Sequence, residues 1–168
     1  MFGFMRRGEA HKAAPVDVHE VLAPVDGAYV PIESVADPAF AQKMMGDGFA
    51  VAPSSDVVVA PVAGEVVAKY PTGHAFGLRT DNGLELIVHV GIDTVNEGGA
   101  GFSSKVEKGQ RVAAGDVLVE FDRAALVEKG YDTSVIVVLL AVPEGPGVQK
   151  PAAAGEAMEA GKTVAVTF

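Results

Sequence analysis

The chain holds four histidines and no cysteine. Two of them, His74 and His89, stand among apolar neighbours. A neutral imidazole presents a ring nitrogen that can act as a nucleophile, a proton carrier or a metal ligand. With an ordinary pKa near ~6.5, roughly three-quarters of such rings are neutral at pH 7, so no adjacent base is required. The lack of cysteine removes disulfides, thiolate zinc sites and cysteine nucleophiles. His11 and His19 lie in, or at the border of, the leading segment and carry no assigned role. Thr72, directly after Pro71, reads as a turn or capping residue on its position alone.

Asn82-Gly83, between the run His74–Thr80 and the run Leu84–His89, marks a hairpin. If these two residues form the whole turn, His74 lies opposite Gly91, with His89 its diagonal neighbour on the same face. If the turn centres on Asp81-Asn82, the two histidines face each other. In both registers the Cβ atoms lie within roughly 8 Å, a gap that two imidazoles span. A three-residue loop changes the parity and separates them. In the two favourable registers Leu84, Leu86, Val88 and Val90 face the core, while Phe76 and Leu78 join the histidine face. Either that outer face is partly apolar, or a bulge near His74 re-aims the strand; the preceding Pro71-Thr72-Gly73 favours the bulge.

The elements that would carry this pair are short. Among 168 residues there are 20 glycines and 10 prolines, and abundant valine separated by turn signals points to an all-β domain. We expect a compact antiparallel β-sandwich or barrel of short strands with one or two short helices. Asp37-Pro38 starts the first, running through Phe40, Met44 and Met45; Asp122 caps the second, Arg123 to Lys129, which Gly130 stops. Leu22-Ala23-Pro24-Val25-x-Gly27 recurs as Val59-Ala60-Pro61-Val62-x-Gly64, and Val106-x-Lys108-Gly109-Gln110-x-Val112 is echoed by Met158-x-Ala160-Gly161-Lys162-x-Val164. This is a duplicated β motif, too irregular for a solenoid. Residues 1–18 lack strand periodicity and read as a loose leader, with 19–168 as the folded domain. Phe2, Phe4 and Met5 beside Arg6 and Arg7 allow at most peripheral membrane contact. No apolar run reaches the ~20 residues needed to cross a bilayer, and the start is no secretory signal, so the expected location is cytoplasmic. A net charge of -9 speaks against nucleic acid and for a basic protein partner.

The stretch Leu86-Ile87-Val88-His89-Val90-Gly91-Ile92-Asp93-Thr94-Val95 resembles the phosphorylation-site signature of the glucose-type enzyme IIA family of the sugar phosphotransferase system. Pro71-Thr72-Gly73-His74-Ala75-Phe76 resembles that family's second-histidine segment. The likeness extends through Val30-Pro31-Ile32-Glu33, Asp37-x-x-Phe40, Gly46-Asp47-Gly48 and Gly109-Gln110-x-Val112-x-x-Gly115-Asp116, over roughly residues 20 to 168 and more loosely in the last 30. The resemblance implies a β-sandwich with a shallow active-site depression. It makes His89 the phosphoacceptor, with His74 hydrogen-bonding the phosphoryl group and Thr72 supporting it. It also implies phosphate receipt from the phosphocarrier HPr, and delivery to the IIB domain of a IIB/IIC sugar permease, with regulatory targets as further partners. No cofactor or metal is expected. The leader beginning at Met1 favours a separate protein over a piece of a fused permease.

Around the histidines, Phe40, Met44, Met45, Tyr70 and Ile87 are candidates for an apolar contact ring, with Phe40 and Met44 on one helical face. Asp37 and Asp93 would flank the site and attract a basic partner, although Asp93 equally suits a cap on the turn after its strand. Such a ring with an acidic rim fits a transient interface of ~1,200 Å². Three other functions compete. A zinc peptidase would use His89-x-x-x-Asp93 and His74 as ligands, but no His-x-His element is present. A purely regulatory module would bind partners without transferring anything. A biotinyl- or lipoyl-type carrier is suggested by the Ala-Pro-Val-x-Gly repeats but lacks a lysine at a hairpin tip.

Overall fold

The computed structural model describes residues 17–168. The leader reading, with its membrane contact through Phe2, Phe4 and Met5, lies almost wholly outside them. The described residues form thirteen strands: β1 (Glu20–Leu22), β2 (Gly27–Pro31), β3 (Gly48–Pro53), β4 (Val57–Val59), β5 (Gly64–Lys69), β6 (Ala75–Arg79), β7 (Glu85–Val90), β8 (Phe102–Ser104), β9 (Arg111–Val112), β10 (Val117–Phe121), β11 (Val135–Ala141), β12 (Ala157–Met158) and β13 (Val164–Thr167). Two short helices, α1 (Pro38–Ala41) and α2 (Arg123–Glu128), complete the set.

The strands form an eight-stranded sheet ordered β12-β2-β3-β11-β7-β6-β5-β9, a three-stranded sheet β4-β10-β8 and the pair β1-β13. Neighbouring strands run antiparallel throughout. This is the expected all-β sandwich. Phe49, Val51, Phe76, Leu78, Leu84, Leu86, Val88, Val90, Val135 and Val137 of the large sheet join Val58, Leu118, Val119 and Val166 in one core. Each is fully or almost fully buried, which at about 25 cal/mol per Å² makes this layer the main source of stability.

The duplicated motif closes the sandwich. Leu22 N–H donates to Pro61 O (2.9 Å) and Val59 N–H donates to Pro24 O (2.7 Å), so the two Ala-Pro-Val copies bind each other reciprocally. The second repeat is offset from its sequence echo. Gly109 N–H donates to Val66 O and Val66 N–H to Gln110 O; Gly155 N–H donates to Tyr29 O and Tyr29 N–H to Glu156 O. Gly155, not Gly161, is therefore the counterpart of Gly109.

The hairpin between β6 and β7 departs from both favoured registers. Ala75 pairs with His89, Phe76 with Val88 and Leu78 with Leu86, without a bulge. Its loop has three residues, Asp81 to Gly83: Thr80 N–H donates to Leu84 O (2.9 Å), Gly83 N–H donates to Thr80 O (3.1 Å), and Gly83 takes φ 99°. Phe76 and Leu78 thus face the core. The outer face is itself apolar: Ile32, Val35, Phe40, Ala50, Ile136 and Val138 form a second buried cluster there. The bulge favoured from Pro71-Thr72-Gly73 is absent, and the partly apolar outer face is what the strands present.

Helix α1 is shorter than expected. Asp37 caps it, Oδ1 accepting from Ala39 N–H at 2.8 Å. The chain then turns at Lys43, whose φ is 58°, with Lys43 N–H bonded to Phe40 O and Met44 N–H to Ala39 O. That pattern ends a helix, so Phe40 and Met44 do not share a helical face. Ion pairs from Lys43 to Glu33 (2.9 Å) and Asp47 (3.5 Å) hold the turn. Helix α2 matches expectation: Asp122 Oδ1 accepts from Ala125 N–H (3.1 Å), and Gly130 follows the end with φ 91°.

Candidate active site

Register sets one side of the site. Val30, Ala50, Ile136, His89 and Ala75 lie in a row across β2, β3, β11, β7 and β6. His89 therefore lies within an apolar row on the outer face, where Phe40 of α1 covers it edge to face, ring centroids 5.3 Å apart. Its Nδ1 lies 2.8 Å from Gly91 O. A carbonyl only accepts, so Nδ1 carries the proton and Nε2 keeps its lone pair. Burial holds the His89 pKa below its ordinary value, opposed by the Gly91 bond and by the charges of Asp37 and Asp93.

His74 reaches the same place by a different route. It is the last residue of the β5–β6 loop, Pro71 to His74, closed by Tyr70 N–H to Ala75 O (3.0 Å) and Gly73 N–H to Tyr70 O (2.8 Å). Gly73 has φ 73°, a conformation that favours glycine. A loop side chain is not bound by strand alternation. His74 O still accepts from Val90 N–H (2.7 Å), while its ring lies perpendicular to that of His89, centroids 4.9 Å apart. A three-residue β6–β7 loop was expected to part the histidines; they meet because His74 precedes the strand. His74 is only 3% exposed, and its pKa is lowered to about 4, by burial first and by the His89 charge second. Thr72 Oγ1 lies 2.5 Å from His74 Nδ1. Tyr70 stacks edge-on against His74, centroids 5.4 Å apart.

Phe40, His89, His74 and Tyr70 thus form a continuous row of rings. Ile87 is half-buried, two residues before His89 on the same face of β7. Asp37 and Asp93 lie near enough for their charges to act on His89. Asp93 begins a 3-10 turn, Thr94–Glu97, but its side chain makes no capping bond. Met44 and Met45 are 71% and 45% exposed beyond the end of α1. Tyr70 is also 45% exposed, so its ring has an open side.

Two supporting residues carried no role in the sequence reading. Gly91 has φ 79°, and a Cβ there would stand 2.4 Å from Thr94 Cγ2. Thr94 is fully buried and donates to Val90 O at 2.5 Å. A glycine two residues past a strand histidine was the available signal, since a carbonyl at that offset can reach the ring. Among the described residues no group of three or more His, Cys, Asp or Glu is placed to hold a metal ion. His89-x-x-x-Asp93 with His74 does not supply the three donors that a zinc peptidase needs.

The fold and site together define a class: a β-sandwich that sets two imidazoles side by side, one of them with a free Nε2. Comparison with known proteins narrows that class. A family model described as phosphoenolpyruvate-dependent sugar phosphotransferase system, EIIA 1, matches residues 19–144. The glucose-specific EIIA component of Halalkalibacterium halodurans is 44% identical over 168 residues, covering 100% of this chain and 95% of that one. The glucose-specific EIICBA component of Streptococcus pneumoniae is 52% identical over 119 residues, 71% of this chain but 16% of that longer protein. The solved glucose permease IIA from Mycoplasma capricolum superposes with a TM-score of 0.77 at 38% identity, covering 88% of this chain and 94% of that one.

The chain belongs to the EIIA 1 family of the phosphoenolpyruvate-dependent sugar phosphotransferase system. It is a phosphoryl carrier, a phosphotransferase component that acts with partner proteins in sugar transport. Its family works with the phosphocarrier HPr and with IIB/IIC permease components. Residues beyond the family match belong to the same fold, since β12 pairs with β2 and β13 with β1.

Proposed function

We propose that His89 is the phosphoacceptor, that the phosphoryl group attaches at Nε2, and that residues 19–168 form the phosphocarrier unit. The observation that carries this is the bond from His89 Nδ1 to the Gly91 carbonyl, beside a second imidazole at 4.9 Å. Nε2 attacks phosphorus as the donor histidine's P–N bond breaks. The His89 ring keeps its Nδ1 proton and gains positive charge, which Gly91 O, Asp37 and Asp93 stabilise. A cationic ring is a good leaving group for the next transfer. The covalent intermediate divides one difficult transfer into two easier ones.

His74 supplies a hydrogen-bond donor. In this reading the Thr72 hydroxyl, 2.5 Å from His74 Nδ1, donates to it, which leaves the proton on Nε2 to reach a phosphoryl oxygen. Being neutral at pH 7, this ring holds phosphate by a hydrogen bond rather than a full charge, weakly enough for onward transfer. Positioning of this kind, together with exclusion of water by Phe40 and Tyr70, is most of what phosphoryl transfer requires.

The donor is HPr, as the family implies, and the acceptor is the IIB domain of a glucose-type permease, in line with the name of the fused relative. Phe40, Tyr70, Ile87, Met44 and Met45 supply the apolar contact, and Asp37 and Asp93 the acidic rim that meets basic residues of both partners. The work is done on the cytoplasmic side; no described helix is long and apolar enough to cross a membrane. Incubation with phosphoenolpyruvate and the general phosphotransferase proteins should add about 80 Da, labile to acid and stable to alkali. Peptide mapping should place it on His89. A label on His74, or none, refutes the assignment.

A further inference from the structure

We propose that Glu97 is a positioning residue for phosphoryl transfer: through Lys129 and Tyr131 it fixes the turn that aims the Gly91 carbonyl at His89. This inference rests on His89 being the phosphoacceptor.

Glu97 closes the 3-10 turn Thr94–Glu97 that follows the histidine loop. Its side chain is 13% exposed, unusually sheltered for a surface carboxylate. Oε1 accepts from Lys129 Nζ at 2.5 Å and Oε2 from Tyr131 hydroxyl at 2.7 Å. Lys129 and Tyr131 follow α2 directly, and Tyr131 N–H is anchored to Leu126 O (3.0 Å). The same segment then returns to the histidine loop. Gly91 N–H donates to Ser134 O (2.8 Å) and Ile92 N–H to Asp132 O (2.9 Å).

The bonds therefore form a closed ring: Gly91 loop, Thr94–Glu97 turn, Glu97 carboxylate, Lys129–Tyr131, Asp132–Ser134, and back to Gly91. Within this ring Thr94 ties the turn to Val90 O. Packing braces parts of this ring, since Thr94 is fully buried, Ile92 packs against the outer cluster and Tyr131 against the main core, but not the span between them. Val95 and Asn96 are exposed, and an open hollow of about 490 Å³ lies between Ile92, Asp93 and Asn96 on one wall and Lys129 to Asp132 on the other. Glu97 bridges the two walls by directed bonds, so its loss loosens the turn between these packed points.

Gly91 O selects which nitrogen of His89 carries the proton. A loosened turn lets the ring populate the other tautomer, in which Nε2 is protonated and cannot attack. The test uses the full chain with phosphoenolpyruvate and the general phosphotransferase proteins, and compares the unchanged protein with Glu97→Ala, Glu97→Gln and Tyr131→Phe. Transfer rates are read beside imidazole nitrogen resonances and thermal unfolding. Glu97→Ala should slow phosphorylation about 10-fold, short of the ~100-fold that a full 1 Å misplacement of a reacting group can cost. It should also broaden the His89 Nδ1–H signal. Glu97→Gln, which still accepts from Tyr131, should recover part of both. Tyr131→Phe should give a smaller loss of the same kind, and decides the matter if Glu97→Ala does not fold.

An unchanged rate and tautomer in a folded Glu97→Ala, with phosphate on His89 of the parent, overturns this inference alone. Absence of phosphate on His89 of the parent overturns the functional reading, and this inference with it.

Discussion

His89 and His74 reach one hollow by opposite means. His89 stands on the regular ladder of β7, flanked by Ile136 and Ala75, and its orientation follows from strand alternation. His74 stands on a loop held by Gly73, Tyr70 and Thr72, and strand alternation says nothing about where its ring points. The ladder makes the proposed nucleophile rigid. The loop gives its partner a hydrogen-bonded position that a hydroxyl can tune. A carrier that must both take and release a phosphoryl group is served by that division under the proposal that the fixed ring forms the bond and the supported ring modulates it.

Substitutions should separate the two sides, and the largest effect belongs to the ladder. His89→Ala removes the proposed attacking nitrogen and should abolish phosphorylation, read as no mass gain, while the fold survives. Next comes Gly91→Ala, which forces a Cβ against Thr94 at a positive φ. It should lower stability by about 3 kcal/mol, combining backbone strain with overpacking. That would appear as a fall in thermal midpoint of roughly 10 °C.

The loop side should behave differently. In His74→Gln, His89 should still accept phosphate, but delivery to IIB should slow by ~100-fold, the order seen when one charge-stabilising donor is removed. Equal loss of both steps would contradict the division of labour. Thr72→Val keeps the shape and removes one hydrogen bond worth about 1 kcal/mol, so delivery should fall about 5-fold.

The smallest effect is in the pH dependence of stability. Both histidines have lowered pKa values in the fold, so below their ordinary value of 6.5 the unfolded chain binds protons that the folded chain refuses, for His74 down to about 4. Stability is then complete above pH 6.5 and falls as pH drops through that window. Carboxylates held low by ion pairs, such as Asp47 and Glu97, act mainly below it. His74→Gln should flatten the slope between pH 6.5 and 4 in denaturant titrations, and an unchanged slope would mean that His74 is not shielded.

Much of this was legible beforehand. Alternation in Leu84–Val90 placed the core face and put His89 on the other. The Ala-Pro-Val repeats announced the internal symmetry that Leu22–Pro61 and Val59–Pro24 make physical. Asp37 and Asp122 both cap as expected. The hairpin register was not legible. Asn82-Gly83 suits a two-residue turn, yet Thr80 Oγ1 accepts from Leu84 N–H (3.0 Å) and supports a three-residue loop. The end of α1 was hidden for a similar reason, because Lys43 is held in its turn by Glu33 and Asp47, partners that local propensity does not weigh. Long-range contacts also conceal Glu97, whose partners lie more than thirty positions away.

Everything depends on which nitrogen of which ring is free. Proton–nitrogen correlation spectra of the His89 imidazole, recorded before and after phosphorylation, read this directly. The neutral ring should show its proton on Nδ1, and phosphorus should couple to Nε2 with the Nδ1 proton retained. A proton on Nε2 in the resting protein, or phosphorus bonded to Nδ1, would contradict the assignment of Gly91 as the group that prepares His89.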